Sequence, residues 1–121
     1  MIEFLSEGTG KVLGVKATGT LTSADYEHLL IPRLEKMFAE FGSLRILFYM
    51  DEEFAGWDLS AAWDDAALAL KHRADFEKIA VVGGPDWVSW CIRVSSFLIS
   101  GEIRIFPRDR LQDAWSWVKA P

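Results

Sequence analysis

Six carboxylates and three large aromatic side chains are concentrated in residues 51–65, DEEFAGWDLSAAWDD, which contain no Lys or Arg. Carboxylates at this density are the groups that bind divalent cations or act as general acids and bases. The spacing of Asp51, Glu52, Glu53 and Asp58 does not match the EF-hand calcium loop. Acid–base hydrolysis needs a defined pocket that raises the pKa of one carboxyl group, and the sequence indicates none. We therefore predict no metal site, no catalytic residue and no enzyme activity.

The acidity of the chain is local. The net charge is −5 and residues 51–65 alone carry −6, so the remainder sums to +1. This distribution favours a specific acidic face over a general polyanionic character. Because there is no basic stripe to contact phosphates, nucleic acid is not expected as a partner. Asp51, Glu52 and Glu53 are instead candidate residues for contact with a protein partner.

Length and composition limit the architecture. The 121 residues, half of them apolar, fit a single packed domain over residues 1–121. Cys91 is the only cysteine, so neither a disulfide nor a zinc site of the CxxC type is expected, and we predict no cofactor. The first residues, MIEFLSEG, lack the features of a secretory signal, and no apolar run has the length of a membrane span. We predict a cytoplasmic protein, with peripheral membrane association left open.

The elements that position the acidic segment begin with a hairpin and a helix. Residues 2–7 and 11–18 are typical of short strands, and the intervening Gly8-Thr9-Gly10 suits a tight turn. Thr22 or Ser23 is expected to cap the first helix. Pro32 predicts a kink or a break of that helix near residues 30–31. Its expected inward side chains are Tyr26, Leu30, Leu34, Met37 and Phe41.

The remaining pattern alternates strands and helices. Leu44–Met50 is predicted to be a strand covered on both faces, and Asp58 is expected to cap the second helix. The inward residues of that helix are predicted to be Leu59, Ala62, Trp63, Ala66 and Leu70. Strands at Ile79–Val82 and Ile103–Phe106 follow, each with a helix after it. The order β-β-α-β-α-β-α-β-α implies an α/β fold with a mostly parallel sheet and helices packed on it.

The predicted third helix, residues 86–100, is apolar around most of its circumference and includes Trp87 and Trp90. A helix of this kind must be covered on more than one side. Neighbouring helices of the same domain are one explanation. The alternatives are a second copy of the chain in a homodimer, an apolar ligand or a membrane surface.

The carboxyl ends of parallel strands are where open α/β sheets bind ligands. We expect the corresponding loops to bring Phe54, Trp57 and Trp87 near one another, with Trp90 on the third helix and Arg108 at the rim. Aromatic side chains around a concavity suit an apolar or amphipathic small molecule or a membrane surface. The alternative is that these aromatic side chains only cap the core.

Three features resemble one family. They are the run GTLTSADYEHLLIPRLE from Gly19 to Glu35, the apolar strand that ends at Asp51 with Gly56-Trp57 after it, and a tryptophan near the carboxyl terminus. Over essentially the whole chain, the sequence resembles the SpoIIAA-like proteins of the STAS superfamily, also described as STAS/SEC14-like. The resemblance implies a single-domain STAS fold and a small regulatory or binding role.

The sequence differs from the better-studied members of this superfamily at the residues just after the apolar strand. The better-studied STAS proteins antagonise anti-sigma factors through a serine that is phosphorylated just after this strand, in a Met-Asp-Ser-Ser-like motif. Here the residues are Met50-Asp51-Glu52-Glu53, so that hydroxyl is missing, and Ser60 is interpreted as a structural helix residue. The leading hypothesis is a non-enzymatic module that binds an apolar or amphipathic ligand or a membrane surface. The alternative is a STAS-type protein-interaction regulator that lacks the phosphorylatable serine.

Overall fold

A five-stranded sheet forms the centre of the protein. The computed structural model describes residues 1–72, 74–86, 88, 92, 93 and 100–121, with only the backbone at 69 and 70. The strands of this sheet are β1 (Ile2–Leu5), β2 (Val12–Ala17), β4 (Leu44–Met50), β6 (Phe76–Gly83) and β7 (Glu102–Phe106), in spatial order β1-β2-β4-β6-β7. Only β1 runs antiparallel to its neighbour. The predicted α/β fold with a mostly parallel sheet is confirmed.

Two strands were not predicted. β3 (Thr20–Leu21) and β5 (Gly56–Trp57) pair in parallel as a separate two-stranded sheet beside the main one. Each is two residues long, which is too short for a period-two alternation to be recognised in the sequence. This small sheet ties the segment after β4 to the segment after β2.

The hairpin between β1 and β2 is present as predicted. Ile2 lies opposite Ala17, and Phe4 lies opposite Val15, in an antiparallel register. Gly10 has a φ of +59°, the left-handed conformation that glycine adopts without steric cost. The turn therefore lies at the amino ends of the parallel strands, because β2 begins directly after it.

The first helical region is irregular just before Pro32, near the position where Pro32 predicts a kink or a break. It consists of α1 (Ser23–Asp25), a π-helical turn (Tyr26–Leu30) and α2 (Ile31–Phe41). Thr22 caps α1 in a reciprocal capping box with Asp25. The ring of Pro32 would clash with the carbonyl of His28 in a regular α-helix, and the wider π turn accommodates this. Gly42 ends α2 with a φ of +79°.

Helices cover both faces of the sheet. The two described helices that complete the fold are α3 (Leu59–Lys71) and α4 (Leu111–Lys119), the latter preceded by a 3₁₀ turn (Arg108–Arg110). α2 packs on the face that carries Ile46, and α4 packs on the face that carries Leu47. Because neighbouring residues of a strand point to opposite faces, β4 is buried on both sides, as predicted.

The prediction of which α3 residues point towards the core is wrong. Leu59 is 91% exposed and Trp63 is 77% exposed, and Ala62 and Ala66 are exposed as well. Ala61 is buried instead. The helix has apolar residues on two sides, so periodicity could not choose between them. Tertiary contacts determine which side faces the core. The hydroxyl groups of Ser23 and Tyr26 donate hydrogen bonds to the Asp64 and Asp65 carboxylates, on the opposite side of the helix from Trp63. The side chain of Leu70 is outside the described residues.

The prediction for Phe41 is wrong, and the prediction of a helix over residues 86–100 falls mostly on residues that the structure does not describe. Phe41 was expected to point inward but is 41% exposed, because it lies at the last residue of α2, beyond the edge of the sheet. The predicted helix over residues 86–100, including Trp87 and Trp90, lies outside the described residues apart from positions 86, 88, 92, 93 and 100.

An ion-pair cluster joins the hairpin to the centre of the sheet. The Glu77 carboxylate accepts hydrogen bonds from Lys11 Nζ at 2.7 Å, from Arg45 Nε at 3.0 Å and from Ser43 Oγ. The hydrogen bond from Lys11, followed by that from Ser43, lowers the pKa of Glu77 from 4.5 to about 2. The charged carboxylate is therefore favoured in the folded state relative to the unfolded chain.

Acid is expected to weaken the protein partly through Glu77. Because its folded pKa is lowered, the stabilisation is complete above pH 4.5 and is lost as the pH falls towards about 2. The Glu77→Gln variant should therefore show a smaller drop in urea midpoint between pH 7 and pH 3 than the unmodified protein. Glu102→Gln, at an exposed position, is the control. An equal drop in the Glu77→Gln variant and the unmodified protein would contradict the assignment.

Candidate functional site

The acidic loop, residues 51–55, follows β4 at the carboxyl edge of the sheet. Its backbone is fixed at both ends, since Asp51 N donates to Ala17 O at 3.2 Å and Ala55 N donates to Gly19 O at 2.8 Å. Within the loop, Asp51 Oδ1 accepts from Glu53 N at 3.0 Å. The side chains of Glu52 and Glu53 are exposed, and Asp51 is half-buried. The loop therefore presents two carboxylates from an ordered backbone.

The two aromatic residues of this region pack together. Phe54 is 7% exposed and lies edge-on to Trp57, with ring centroids 5.2 Å apart. Trp57 is half-buried and also stacks on Phe48, with ring centroids 6.4 Å apart. Sequence reasoning expected Phe54 and Trp57 to lie near one another, and the structure does bring them together. Their mutual packing closes this end of the core.

A polar network underlies the same aromatic pair. The Trp57 Nε1 donates to the Tyr26 hydroxyl oxygen at 2.7 Å, and that hydroxyl donates to Asp65 Oδ1 at 2.8 Å. Ser23 Oγ donates to Asp64 Oδ2 at 2.7 Å in the adjacent contact. These bonds join β5, the π turn and α3, and they fix the rotation of α3 about its axis.

The environment raises the pKa of two groups in this hydrogen-bond network, the Tyr26 hydroxyl and the Asp65 carboxyl. Burial raises the pKa of the Tyr26 hydroxyl, and the Asp65 carboxylate adds to the increase. Desolvation raises the pKa of Asp65, while the hydrogen bond from Tyr26 opposes that increase. Since Asp65 as a residue remains exposed, solvent limits the desolvation. Tyr26 stays a neutral donor throughout the ordinary pH range.

Arg108 crosses the ends of three strands. Its Nε donates to Met50 O and its Nη2 donates to Asp51 O, each at 3.2 Å. A side chain at Gly83 would approach the same guanidinium, since a Cβ there would lie 3.4 Å from Nε. Sequence reasoning placed Arg108 at the rim of a ligand site. In the structure, its guanidinium holds the carbonyl groups at the end of β4.

An exposed apolar surface that the sequence did not predict lies on α3. Leu59, Ala62, Trp63 and Ala66 form a continuous exposed stripe, named here the α3 apolar face. The i, i+3, i+4, i+7 spacing of these residues predicts an apolar helix face, and the prediction that this face lies in the core is wrong. No sequence signal distinguishes the two assignments, because an inward and an outward apolar stripe have the same period.

The opening of α3 lies later than the family motif implies. Asp58 is the N-cap and its Oδ1 accepts from Ala61 N at 2.7 Å, so residues 51–53 form a turn before the helix. Ser60 is exposed at the second position of α3. The hydroxyl at the helix opening is therefore that of Ser60.

The other ionisable groups bear on whether the described part of the chain has the geometry of a metal site. In the part of the chain that the structure describes, no group of three His, Cys, Asp or Glu residues is arranged to hold a metal ion. His72 stacks on Phe38, with ring centroids 4.1 Å apart, and its Nδ1 lies 2.9 Å from Asp75 Oδ2. These contacts give His72 a structural role at the end of α3. Within those same residues, no helix is long and apolar enough to cross a bilayer.

Comparison with known proteins identifies the family. The SpoIIAA-like family model matches residues 12–119. A crystal structure of an uncharacterised protein from the DUF3478 family, with a SpoIIAA-like fold, from Shewanella loihica PV-4 is 32% identical and superposes with a TM-score of 0.75. The match covers 97% of this chain and 93% of that one. No curated protein matches. Because the family model and that crystal structure both match nearly the full length of the chain, the chain belongs to the SpoIIAA-like family.

Proposed function

We propose that the protein is a non-catalytic STAS-type regulatory module that binds a protein partner through the acidic loop and the α3 apolar face. The observation that carries this proposal is the exposure of Leu59 and Trp63, at 91% and 77%. Tryptophan is among the residues most enriched at interface hot spots. An apolar stripe that is left in water by the fold of the chain is typical of an interaction site.

The charges around the α3 apolar face indicate the properties of a complementary partner surface. Glu52, Glu53 and Asp58 are exposed and precede the apolar face along the same segment. They are free of ion pairs with described residues, in contrast to Glu77 and Glu35. A complementary partner therefore has an apolar recess for Trp63 and Lys or Arg side chains at its edge.

Replacement of Trp63 by serine is expected to reduce capture of the partner strongly. Truncation of a central hot spot costs about 2 kcal/mol or more, which is roughly a thirtyfold loss of affinity. The measurement is quantitative mass spectrometry of proteins retained by the immobilised chain from lysate of cells that express it. A candidate partner is one whose retention falls both in Trp63→Ser and in the double variant Glu52→Lys, Glu53→Lys.

A control variant separates this effect from general stickiness. Phe41→Ser removes another exposed apolar side chain, 41% exposed, from the opposite end of the molecule and should leave capture unchanged. Equal losses in Trp63→Ser and Phe41→Ser, or no protein that depends on both Trp63 and the acidic loop, would refute the proposal.

A second candidate function is binding of an apolar ligand or a membrane surface through Phe54, Trp57, Trp87, Trp90 and Arg108. The half-buried Trp57 beside Phe54 favours it. A ligand there must displace the contacts of Phe54 and the hydrogen bonds of Arg108 to the β4 carbonyl groups, so it receives less support. Unchanged tryptophan fluorescence on addition of neutral and anionic lipid vesicles would exclude the membrane form. Sedimentation at high protein concentration tests a homodimer through residues 86–100.

A further inference from the structure

A groove lies at the end of the molecule opposite the acidic loop. It runs between the hairpin turn, residues 8–10, and the carboxyl-terminal half of α2, and it has a volume of about 420 Å³. This volume is within the range of small-molecule sites. Because the hairpin turn precedes β2, the groove is at the amino edge of the sheet and shares no residue with the acidic loop or the α3 apolar face.

Apolar and polar residues together line the groove. Leu13 and Met37 are buried, and Leu5 and Val12 are half-buried along the hairpin side. Phe41, exposed at the end of α2, also contributes to the wall. An apolar chain bound in this groove would cover those parts of Leu5, Val12 and Phe41 that face water, and the burial of apolar surface favours binding of such a chain.

The positive and negative side chains that line the groove lie at different positions along α2. Arg33 and Lys36 line it from α2, and neither forms an ion pair with a described residue. The Arg33 guanidinium is held over the Phe4 ring, 4.8 Å from its centroid, which restricts its orientation before any ligand binds. Glu40 also lines the groove and lies two helical turns from Arg33, about 10 Å along the axis.

We propose that this groove binds an amphipathic carboxylate, a molecule with one carboxylate and an unbranched apolar chain. The carboxylate accepts hydrogen bonds from Arg33 and Lys36, and the chain extends over Leu13 and Met37 towards Phe41. Charge-assisted hydrogen bonds to a guanidinium suit a carboxylate because the two groups match in geometry. Glu40 disfavours the reverse orientation, since it would place two carboxylates together.

Titration with sodium decanoate below its micelle concentration, followed by ¹H–¹⁵N NMR, tests this assignment. We expect the shifted amides to cluster at residues 5–13 and 33–41. Decanol and decyltrimethylammonium, which have the same chain and a neutral or cationic head, should bind about tenfold more weakly than decanoate. Shifts that cluster elsewhere, equal binding of the three compounds, or no binding of decanoate would overturn the proposal.

Variants of the two cations complete the test. The double variant Arg33→Gln, Lys36→Gln should reduce decanoate affinity about tenfold while leaving decanol affinity unchanged. Arg110→Gln is the matched control, because Arg110 is exposed and its ion-pair partner among the described residues is Asp113, on the other side of the sheet. If Arg110→Gln reduced decanoate binding as much as the double variant, the contribution of Arg33 and Lys36 would be refuted. The NMR spectra of each variant show directly whether the fold is retained.

Discussion

Replacement of Gly83 by alanine is expected to lower the free energy of unfolding by about 2–5 kcal/mol. Two effects combine at this position. Gly83 has a φ of +80°, which costs an L-amino acid about 1–2 kcal/mol. A Cβ there would also lie 2.5 Å from Met50 O. That oxygen belongs to the backbone of the neighbouring strand and accepts from Arg108, so it cannot move aside without cost.

Gly42→Ala is the control that separates these two effects. Gly42 has nearly the same φ, +79°, but a Cβ there meets no atom within 4 Å. Its replacement should therefore cost only the conformational part, about 1–2 kcal/mol. Urea denaturation of both variants, followed by circular dichroism, measures the difference. Equal losses would show that the close approach of Gly83 to β4 contributes nothing.

The Tyr26→Phe variant is expected to lose about 1–3 kcal/mol of stability. The substitution keeps the buried ring, which is fully inaccessible to solvent, and removes only the hydroxyl. It takes away the oxygen that accepts from Trp57 Nε1 and the donor to Asp65 Oδ1. Because these bonds orient α3, tryptophan fluorescence should change as well as the urea midpoint.

Tyr49→Phe is the matched control for this prediction. Tyr49 is half-buried on β4, and its hydroxyl forms no hydrogen bond with a described residue, so its removal should change stability by less than about 0.5 kcal/mol. A double-mutant cycle with Asp65→Ala isolates the Tyr26–Asp65 bond. Additive effects of Tyr26→Phe and Asp65→Ala would mean that the two groups do not stabilise one another.

The Tyr26 network also bears on the proposed interaction surface. Rotation of α3 places the Asp64 and Asp65 carboxylates against Ser23 and Tyr26 and leaves Trp63 exposed. If the proposed partner contact is correct, Tyr26→Phe should weaken capture of the partner less than Trp63→Ser does, since it loosens α3 without removing the contact residue.

Local signals predicted much of the fold. Thr22 and Asp58 cap helices where a side-chain oxygen can bind a backbone amide within one turn. Pro32 disturbs the first helical region because its ring clashes with the carbonyl group of the residue four positions earlier. The apolar run of β4 indicated burial on both faces. Each of these features depends on residues that are neighbours in sequence, so no knowledge of the rest of the chain was required.

By itself, the sequence determined the order along the chain of the five strands of the main sheet, the family resemblance and the confinement of negative charge to residues 51–65. Only the tertiary structure decided which side of α3 faces solvent, since that depends on hydroxyl groups about 40 residues away in the chain. It also decided that Phe54 is buried and that Arg108 binds the carbonyl groups of β4. Apolar periodicity records that a face is apolar, whereas the packing of distant segments determines whether the protein itself covers that face.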